Sequence, residues 1–432
     1  MESGTKKVLI ITYYWPPAGG PGVQRWLKFV KYLPDFGIQP IVYIPDNPTY
    51  PIVDEALVKE VSDSAIILRN KIREPYQLAA FFSKNKTKKI SSGIIPNRKK
   101  QTFLDRLLLW IRGNIFIPDA RFLWVKPSVA YLKDYIRDNG IDTVITSGPP
   151  HSLHLIGLEL KNKLNISWIA DFRDPWTTIG YHKALKLSGY ASRKHKELES
   201  RVLGTADIIL VTSATTKAEF EALTSKPIEI ITNGYDTEQV EPQQLDSKFS
   251  MAHIGSFLSE RNPLVLWECL NELLKENDSF GEDLELKLIG AVSQEVLETI
   301  QKYDLDKYVN NQGYLSHKEA IEHQRKSQVL LLIEIDSPDT RSIIPGKLFE
   351  YMISERPIIG IGPKGSDFEA IIKNTNTGVF VRYNEKALLK KIIESYYQEY
   401  KDKKLKVYAV GLQQYSRKQL TKKLAGLIQE RT

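Results

Sequence analysis

The chain has almost no cysteine. Its single thiol among 432 residues, Cys269, cannot close an intrachain disulfide, which excludes a disulfide-stapled scaffold and agrees with a reducing cytoplasm. Cys269 sits in the apolar helical pattern Leu264–Leu274, the setting of a buried core thiol rather than a nucleophile. Long apolar runs are missing too: none approaches the roughly 18 residues that cross a bilayer. Val8–Ile11 follows two lysines, as a signal peptide would begin. The run is short, however, and Trp15-Pro16-Pro17-Ala18-Gly19-Gly20 stands where a cleavage site would fall, so secretion is not expected. The seven histidines do not pair with cysteine or acids at ligand spacings, and no aspartate pair stands out; no metal and no cofactor are expected. No nucleic-acid motif accompanies the positive charge.

What is present is the composition of globular domains: 42% apolar and 26% charged residues, with a length that predicts two or three domains. The net charge of +8 points to anionic partners. It is concentrated between Lys84 and Arg112, where nine Lys/Arg face one acid, Asp105, and the stretch ends in Phe103, Leu104, Leu107, Leu108, Leu109 and Trp110. A basic segment with a Trp-bearing apolar face suits an anionic membrane surface. A solvated loop with a helix packed on its own domain accounts for the same residues. The expectation is a cytoplasmic protein, peripheral at the inner face of the membrane if the segment binds lipid.

Apolar, β-branched strands alternate with helical patterns. Lys7–Tyr13, Ile41–Ile44, Thr143–Thr146, Ser167–Ala170, Ile208–Thr212 and Ile228–Ile231 read as strands, with helices after Val23, His151, Ser192 and Ala214. Turn residues Thr232–Asp236 and a polar stretch to Ser247 interrupt the pattern. It restarts with Met251–Gly255, Leu284–Ile289, Val329–Ile333 and Pro357–Ile361. This predicts an α/β fold of two doubly wound, Rossmann-like domains with a cleft between them. The domains are expected at 1–238, with a basic insertion at 71–125, and at 239–408; a helical segment, 409–432, follows.

Ligands of open parallel sheets gather at the carboxyl ends of the strands, so the loops there carry the candidates. In Pro345-Gly346-Lys347-Leu348-Phe349-Glu350, Pro suits the first position of a helix, Gly346 allows close approach to free N–H groups, and Lys347 adds charge. Glu350, four residues past Gly346, lies on the same side about 6 Å along the axis. That pattern suits a nucleoside diphosphate, phosphates on the helix start and ribose on the carboxylate; an ordinary capped helix is the competing account. His253–Phe257 with Ser256, then Arg261, Asn262 and Pro263, reads as a strand end before a helix capped by Asn262, with Arg261 placed for a diphosphate. In the first half, Gly19, Gly20 and Gly22 follow the first strand and can admit a phosphate or sugar. The dinucleotide spacing fails there because Arg25 stands where a third small residue belongs. His151, at another strand end, can bond a sugar hydroxyl. Asp171, with Arg173 and Asp174, is either an acceptor-site acid or half of a structural Asp–Arg clasp.

These motifs, in this order and over nearly the whole chain, resemble glycosyltransferases of the GT-B fold near family 4. The resemblance implies a retaining, metal-independent hexosyl transfer from a nucleoside diphosphate sugar to a glycan or lipid-linked acceptor, as in surface polysaccharide or glycoconjugate synthesis. It implies that Glu350 holds the ribose and that the loop Gly313-Tyr314 receives the base. The Gly19–Gly22 loop would approach the donor diphosphate and His151 the sugar, with Arg261, Lys347 and Gly346 supplying positive charge in place of a metal. The terminal helix would return to the first domain. Many relatives carry a second glutamate eight positions before Glu350; here that position is Ser342, which leaves the sugar-contacting role unassigned. An epimerase or hydrolase of the same fold, or a non-catalytic nucleotide-binding scaffold, is the alternative.

Overall fold

The computed structural model describes residues 5–74, 103–183, 185–236 and 243–430. Contacts divide the chain into one unit of Met1–Asn233 with Arg417–Thr432 and a second of Gly234–Ser416. The first holds a parallel sheet of order β3-β2-β1-β4-β5-β6-β7, built from β1 Lys6–Ile11, β2 Ile38–Pro45, β3 Ile66–Asn70, β4 Thr143–Gly148, β5 Ser167–Phe172, β6 Ile208–Val211 and β7 Ile228–Ile230. The second holds a parallel sheet of order β10-β9-β8-β11-β12-β13, from β8 Phe249–Ile254, β9 Leu284–Ile289, β10 Val309–Gly313, β11 Val329–Ile333, β12 Ile358–Gly362 and β13 Gly378–Arg382. The two doubly wound α/β sheets are those the alternation predicted.

Central strands such as β6, β8 and β11 are buried at every position, because helices cover both faces of a parallel sheet and no residue of the strand can turn to water. Alternate residues serve opposite layers. Val8 and Ile10 of β1 pack with Trp26, Leu27 and Val30 of helix Pro21–Tyr32, while Leu9 and Ile11 pack with Leu132, Ile136 and Ile156 on the other face. Helix Arg417–Gln429 adds Leu424 and Ile428 to the first of these layers. Its Arg417 donates to the carbonyl of Gln24 at 3.1 Å, and Lys423 pairs with Glu229 at 3.0 Å.

Each sheet reverses its strand order once, between β1 and β4 in the first and between β8 and β11 in the second. At such a reversal the flanking loops leave in opposite directions and open a crevice. The loops singled out in the sequence sit beside these reversals: Gly19–Gly22 after β1, Ser147–His151 after β4, Gly255–Arg261 after β8, and Pro345–Glu350 after β11.

Part of the basic segment, 84–102, lies outside the described residues. Its last portion is the start of helix Phe103–Asn114, and the apolar stripe divides there. Leu109 is buried, whereas Leu107 and Trp110 are 43% and 44% exposed.

Candidate functional site

In the second unit the carboxyl ends of β8, β9 and β10 are a row of glycines in the left-handed region. Gly255, Gly290 and Gly313 have φ of 121°, 114° and 67°, conformations that favour glycine. The strand ends also lie against one another: a Cβ on Gly290 would come within 2.6 Å of the Gly255 carbonyl oxygen. Gly313 meets nothing within 4 Å, Ser256 beside Gly255 is exposed, and Tyr314 is 90% exposed. The backbone at this edge is therefore open.

Two cations stand beside that edge, each with a buried partner. Arg261 donates through Nε and Nη2 to the two carboxylate oxygens of Glu334, 3.2 Å each; Glu334 is fully buried and also accepts from Ile335 N–H at 2.9 Å. A fork of this kind fixes the guanidinium plane. With the Ile335 amide, the fork gives the Glu334 oxygens their partners inside the unit. Lys347 Nζ lies 3.1 Å from His253 Nε2, and the imidazole is stacked on Phe257 at 4.2 Å. Burial, then the neighbouring Arg261, lowers the Lys347 pKa to about 7 against the pull of Glu334. Burial, then Lys347, holds His253 well below the usual histidine value.

Two local expectations change. Asn262 does not cap the next helix: Pro263 is its cap and Leu264 its first residue, while Asn262 accepts from Trp267 Nε1 at 2.7 Å and donates to Thr299 at 2.8 Å. The indole outcompetes the helix end for that side chain. Pro345 does not open its helix either, because Gly346 is the cap and the helix is the short Lys347–Met352. Its position rests on Tyr351, whose buried hydroxyl accepts from Ile254 N–H at 3.0 Å and reaches the Ile254 carbonyl at 3.3 Å, anchoring the helix to β8. Glu350 is thus carried to the β8–β11 reversal. One of its oxygens accepts from Gln324 at 3.1 Å, and the other lies 3.9 Å from His317.

The first unit uses its candidates differently. Asp171 has no exposed surface. It accepts from Arg25 Nη2 at 2.8 Å and Nε at 3.3 Å, from Trp26 Nε1 at 2.9 Å and from Ser147 Oγ at 2.8 Å. Burial alone would raise its carboxyl pKa, but Arg25 and Ser147 hold it below the usual carboxylate value. That environment is the clasp, with Arg25 as the partner rather than Arg173, and it leaves Asp171 no oxygen for an acceptor. Arg25, which broke the dinucleotide spacing, also ties the clasp to the carbonyls of Ile231 and Thr232 at 2.9 and 3.0 Å.

The three glycines after β1 separate as well. A Cβ on Gly22 would meet the Arg173 guanidinium, and one on Gly19 would lie 2.9 Å from Ile52, so side chains of the unit itself stand over both. Only Gly20, with φ of 98°, faces space empty to 4 Å at the start of helix Pro21–Tyr32. His151 is 6% exposed and stacks on Trp176 at 4.9 Å and 3°; neither ring nitrogen has a hydrogen-bond partner. Burial keeps it neutral, its pKa well below the usual value. His154 bonds Thr146 at 2.9 Å and packs on Phe172 at 4.3 Å, a core role. Sequence reasoning missed Gln324 and gave no role to His253 or Glu334. A buried glutamine has no motif, but His253 and Glu334 each sit at a strand end, where their charge could have flagged them.

Two doubly wound sheets, each with polar groups at its strand-order reversal, define a GT-B fold of the kind glycosyltransferases use. Residues 94–239 match the model of Glycosyltransferase Family 4. Among solved structures, the chain is similar to a glycosyltransferase from Rickettsia africae ESF-5, with TM-score 0.61, 14% identity, and 99% and 98% of the two chains covered. It is similar also to sucrose-phosphate synthase from Thermosynechococcus elongatus, with TM-score 0.60, 13% identity and 98% of each chain covered. Anabaena HepE, solved in complex with UDP, gives TM-score 0.60 at 12% identity, covering 98% of this chain and all of that one. No curated protein sequence matches. The chain therefore has the GT-B fold, and the family 4 match lies within its first unit.

Proposed function

We propose that this chain transfers a hexose, with retention and without a metal, from a nucleoside diphosphate sugar to a glycan or lipid-linked acceptor of surface polysaccharide or glycoconjugate synthesis. The observation that carries the reading is the set of groups after β8 and β11: Lys347 against Gly255, Arg261 fixed by Glu334, and Glu350 on the helix that starts at Lys347. UDP is the ligand in the HepE structure, and UDP with glucose in a second structure of that protein; both support a nucleotide sugar as donor. Gly346, Ser256, Gly313 and Tyr314 complete the donor side.

In this mechanism the glycosidic phosphate leaves as charge develops on its oxygens, and Arg261 and Lys347 stabilise that charge more in the transition state than in the ground state. Lys347 starts poised between neutral amine and ammonium, and a diphosphate beside it favours the ammonium. The departing phosphate can take the proton of the incoming hydroxyl on the same face of the sugar, so no carboxylate base is needed. His151, neutral and with both buried ring nitrogens unpartnered, is assigned to a sugar hydroxyl. Asp171 contributes by holding β4 and β5 to the first helix. The segment at 84–112, through its positive charge and the exposed Leu107 and Trp110, would bring the protein to an anionic, acceptor-bearing membrane surface.

A panel of UDP-, GDP- and ADP-hexoses incubated in EDTA with and without lipid-extracted and glycan acceptors tests this. Transfer of labelled sugar that requires acceptor and keeps the anomeric configuration is expected. Free sugar or an epimer formed without acceptor would make the protein a hydrolase or epimerase. Binding without turnover across the panel would make it a scaffold, and a need for added divalent metal would overturn the charge-for-metal mechanism.

A further inference from the structure

Glu350 is a half-buried side chain on a short helix, and a glutamate that must meet a ribose needs its carboxylate held still. The group that holds it lies on another element. Gln324 is 2% exposed and donates Nε2–H to Glu350 at 3.1 Å. A carboxylate can only accept, so the amide nitrogen is the atom that faces it. The bond occupies one carboxylate oxygen. Among the described residues the other has His317 near it, at 3.9 Å, on a side chain 61% exposed that can swing aside.

Gln324 stands near the end of helix His317–Lys326, whose beginning carries the Gly313–Ser316 loop. That beginning is fixed: the Glu319 carboxylate accepts from Ser316 N–H at 2.8 Å and from its hydroxyl at 2.6 Å, and Ser316 Oγ accepts from Glu319 N–H at 3.3 Å. One rigid helix therefore joins the loop assigned to the base with the side chain that orients the carboxylate assigned to the ribose. We infer that Gln324 is a positioning residue for donor binding, holding one oxygen of Glu350 so that the other is presented to the ribose hydroxyls. The inference rests on the assignment of Glu350 to the ribose.

The test compares calorimetric affinities for UDP, GDP and ADP with those for their 2′,3′-dideoxy counterparts. The ratio of the two isolates the hydroxyl contact. The wild type should prefer ribose, and Glu350→Ala should abolish the preference. Gln324→Met, which keeps the length and lacks the donor, should cut the preference by about three- to tenfold, as expected for one hydrogen bond. Gln324→Leu serves as the second variant if the first does not melt as a folded protein. In the Glu350→Ala background the Gln324 change should alter nothing further, which a merely structural role would not produce. A wild-type ratio in folded Gln324→Met, or equal losses for ribose and dideoxyribose ligands, overturns the inference while leaving Glu350 in place. An unchanged ratio in Glu350→Ala removes the ribose assignment itself, and the inference with it.

Discussion

The two units share an architecture and treat charge at their strand ends in opposite ways. In the first, the carboxylates Asp171, Glu74 and Asp119 are each matched within the unit. Asp171 is closed by Arg25, Trp26 and Ser147; Glu74 is closed by Arg121 at 3.1 Å and Tyr13 at 2.7 Å; the Asp119 carboxylate accepts from both the amide and the hydroxyl of Ser152 at 2.9 Å. In the second, the match is incomplete. Lys347 faces an imidazole rather than a carboxylate, Glu350 keeps an oxygen for an outside donor, and Gly313 borders open space. Complete pairing repays the desolvation of buried charge and makes rigid structure. Incomplete pairing leaves a deficit that a ligand can fill. The same residue types thus read as scaffold in one place and as site in the other, and the accounting of partners separates them.

The sharpest break is Asp171→Ala. It strands the Arg25 guanidinium in the core, and loss of one member of a buried pair costs about 3–5 kcal/mol. Chemical denaturation followed by fluorescence should show it in the first unit, which holds six of the seven tryptophans. An unchanged midpoint would mean that the clasp carries no stability.

The converse substitutions fall in the second unit. Glu350→Ala and Lys347→Met should each weaken nucleoside diphosphate binding roughly ten- to hundredfold, as for hydrogen bonds and charges lost from a site, while thermal stability stays close to that of the wild type. Lys347→Met removes a partly desolvated charge that has no carboxylate partner, so a slightly higher melting temperature is the expected direction. Large destabilisation by either change would place these residues with the scaffold and erase the contrast.

Acid should also act more strongly on the first unit. Burial lowers the pKa of His154 to about 3, and burial with His195 lowers that of His182 to about 4; His151 and His195 shift in the same direction. Each is favoured neutral in the folded chain and takes up a proton near 6.5 once unfolded. Their stabilisation is therefore present above pH 6.5 and is lost progressively as pH falls from 6.5 towards 4. Urea midpoints of the tryptophan signal at pH 7.5, 6 and 5 should fall in that order, and His182→Phe should flatten the trend. A midpoint independent of pH across this range would contradict it.

The smallest effect is expected at the membrane. Each basic residue near an anionic surface contributes about 1 kcal/mol, and salt screens it. Sedimentation with anionic liposomes should fall with rising salt, with Lys99→Glu and Lys100→Glu together, and with Trp110→Ser. Equal binding to neutral liposomes, or none to anionic ones, would return the segment to a solvated loop and a core helix.

Where the chain is buried on both faces it was easy to read. Thr143–Thr146, Ile208–Thr212 and Val329–Ile333 announce themselves as apolar runs, and the strands found there match them within a residue or two. The strands that the sequence hid are β3, β10 and β13, all at sheet edges. Val309–Gly313 reads Val-Asn-Asn-Gln-Gly and has no fully buried position, because an edge strand has fewer neighbours to bury its side chains against. Site chemistry followed the same division. The Lys347–Glu350 motif is local and therefore legible. The clasp of Arg25 on Asp171, the grip of Glu334 on Arg261 and the bond from Gln324 to Glu350 each join residues far apart in sequence, and only the folded sheet order brings them together. Gly22 shows the hazard of reading one level alone: it resembles a ligand-binding glycine, yet the Arg173 guanidinium stands over it.

The central claim is that the unit with unfinished pairing holds the nucleotide at the β8–β11 reversal. Hydrogen exchange with and without saturating nucleoside diphosphate tests it most directly, since bound ligand slows exchange of the amides it contacts or orders. Added protection is expected at Gly255–Arg261, Gly313–His317 and Gly346–Tyr351, with the amides around Asp171 and Arg25 already slow and unchanged. Binding that leaves those three segments unprotected, or that protects only segments of the first unit, would contradict it.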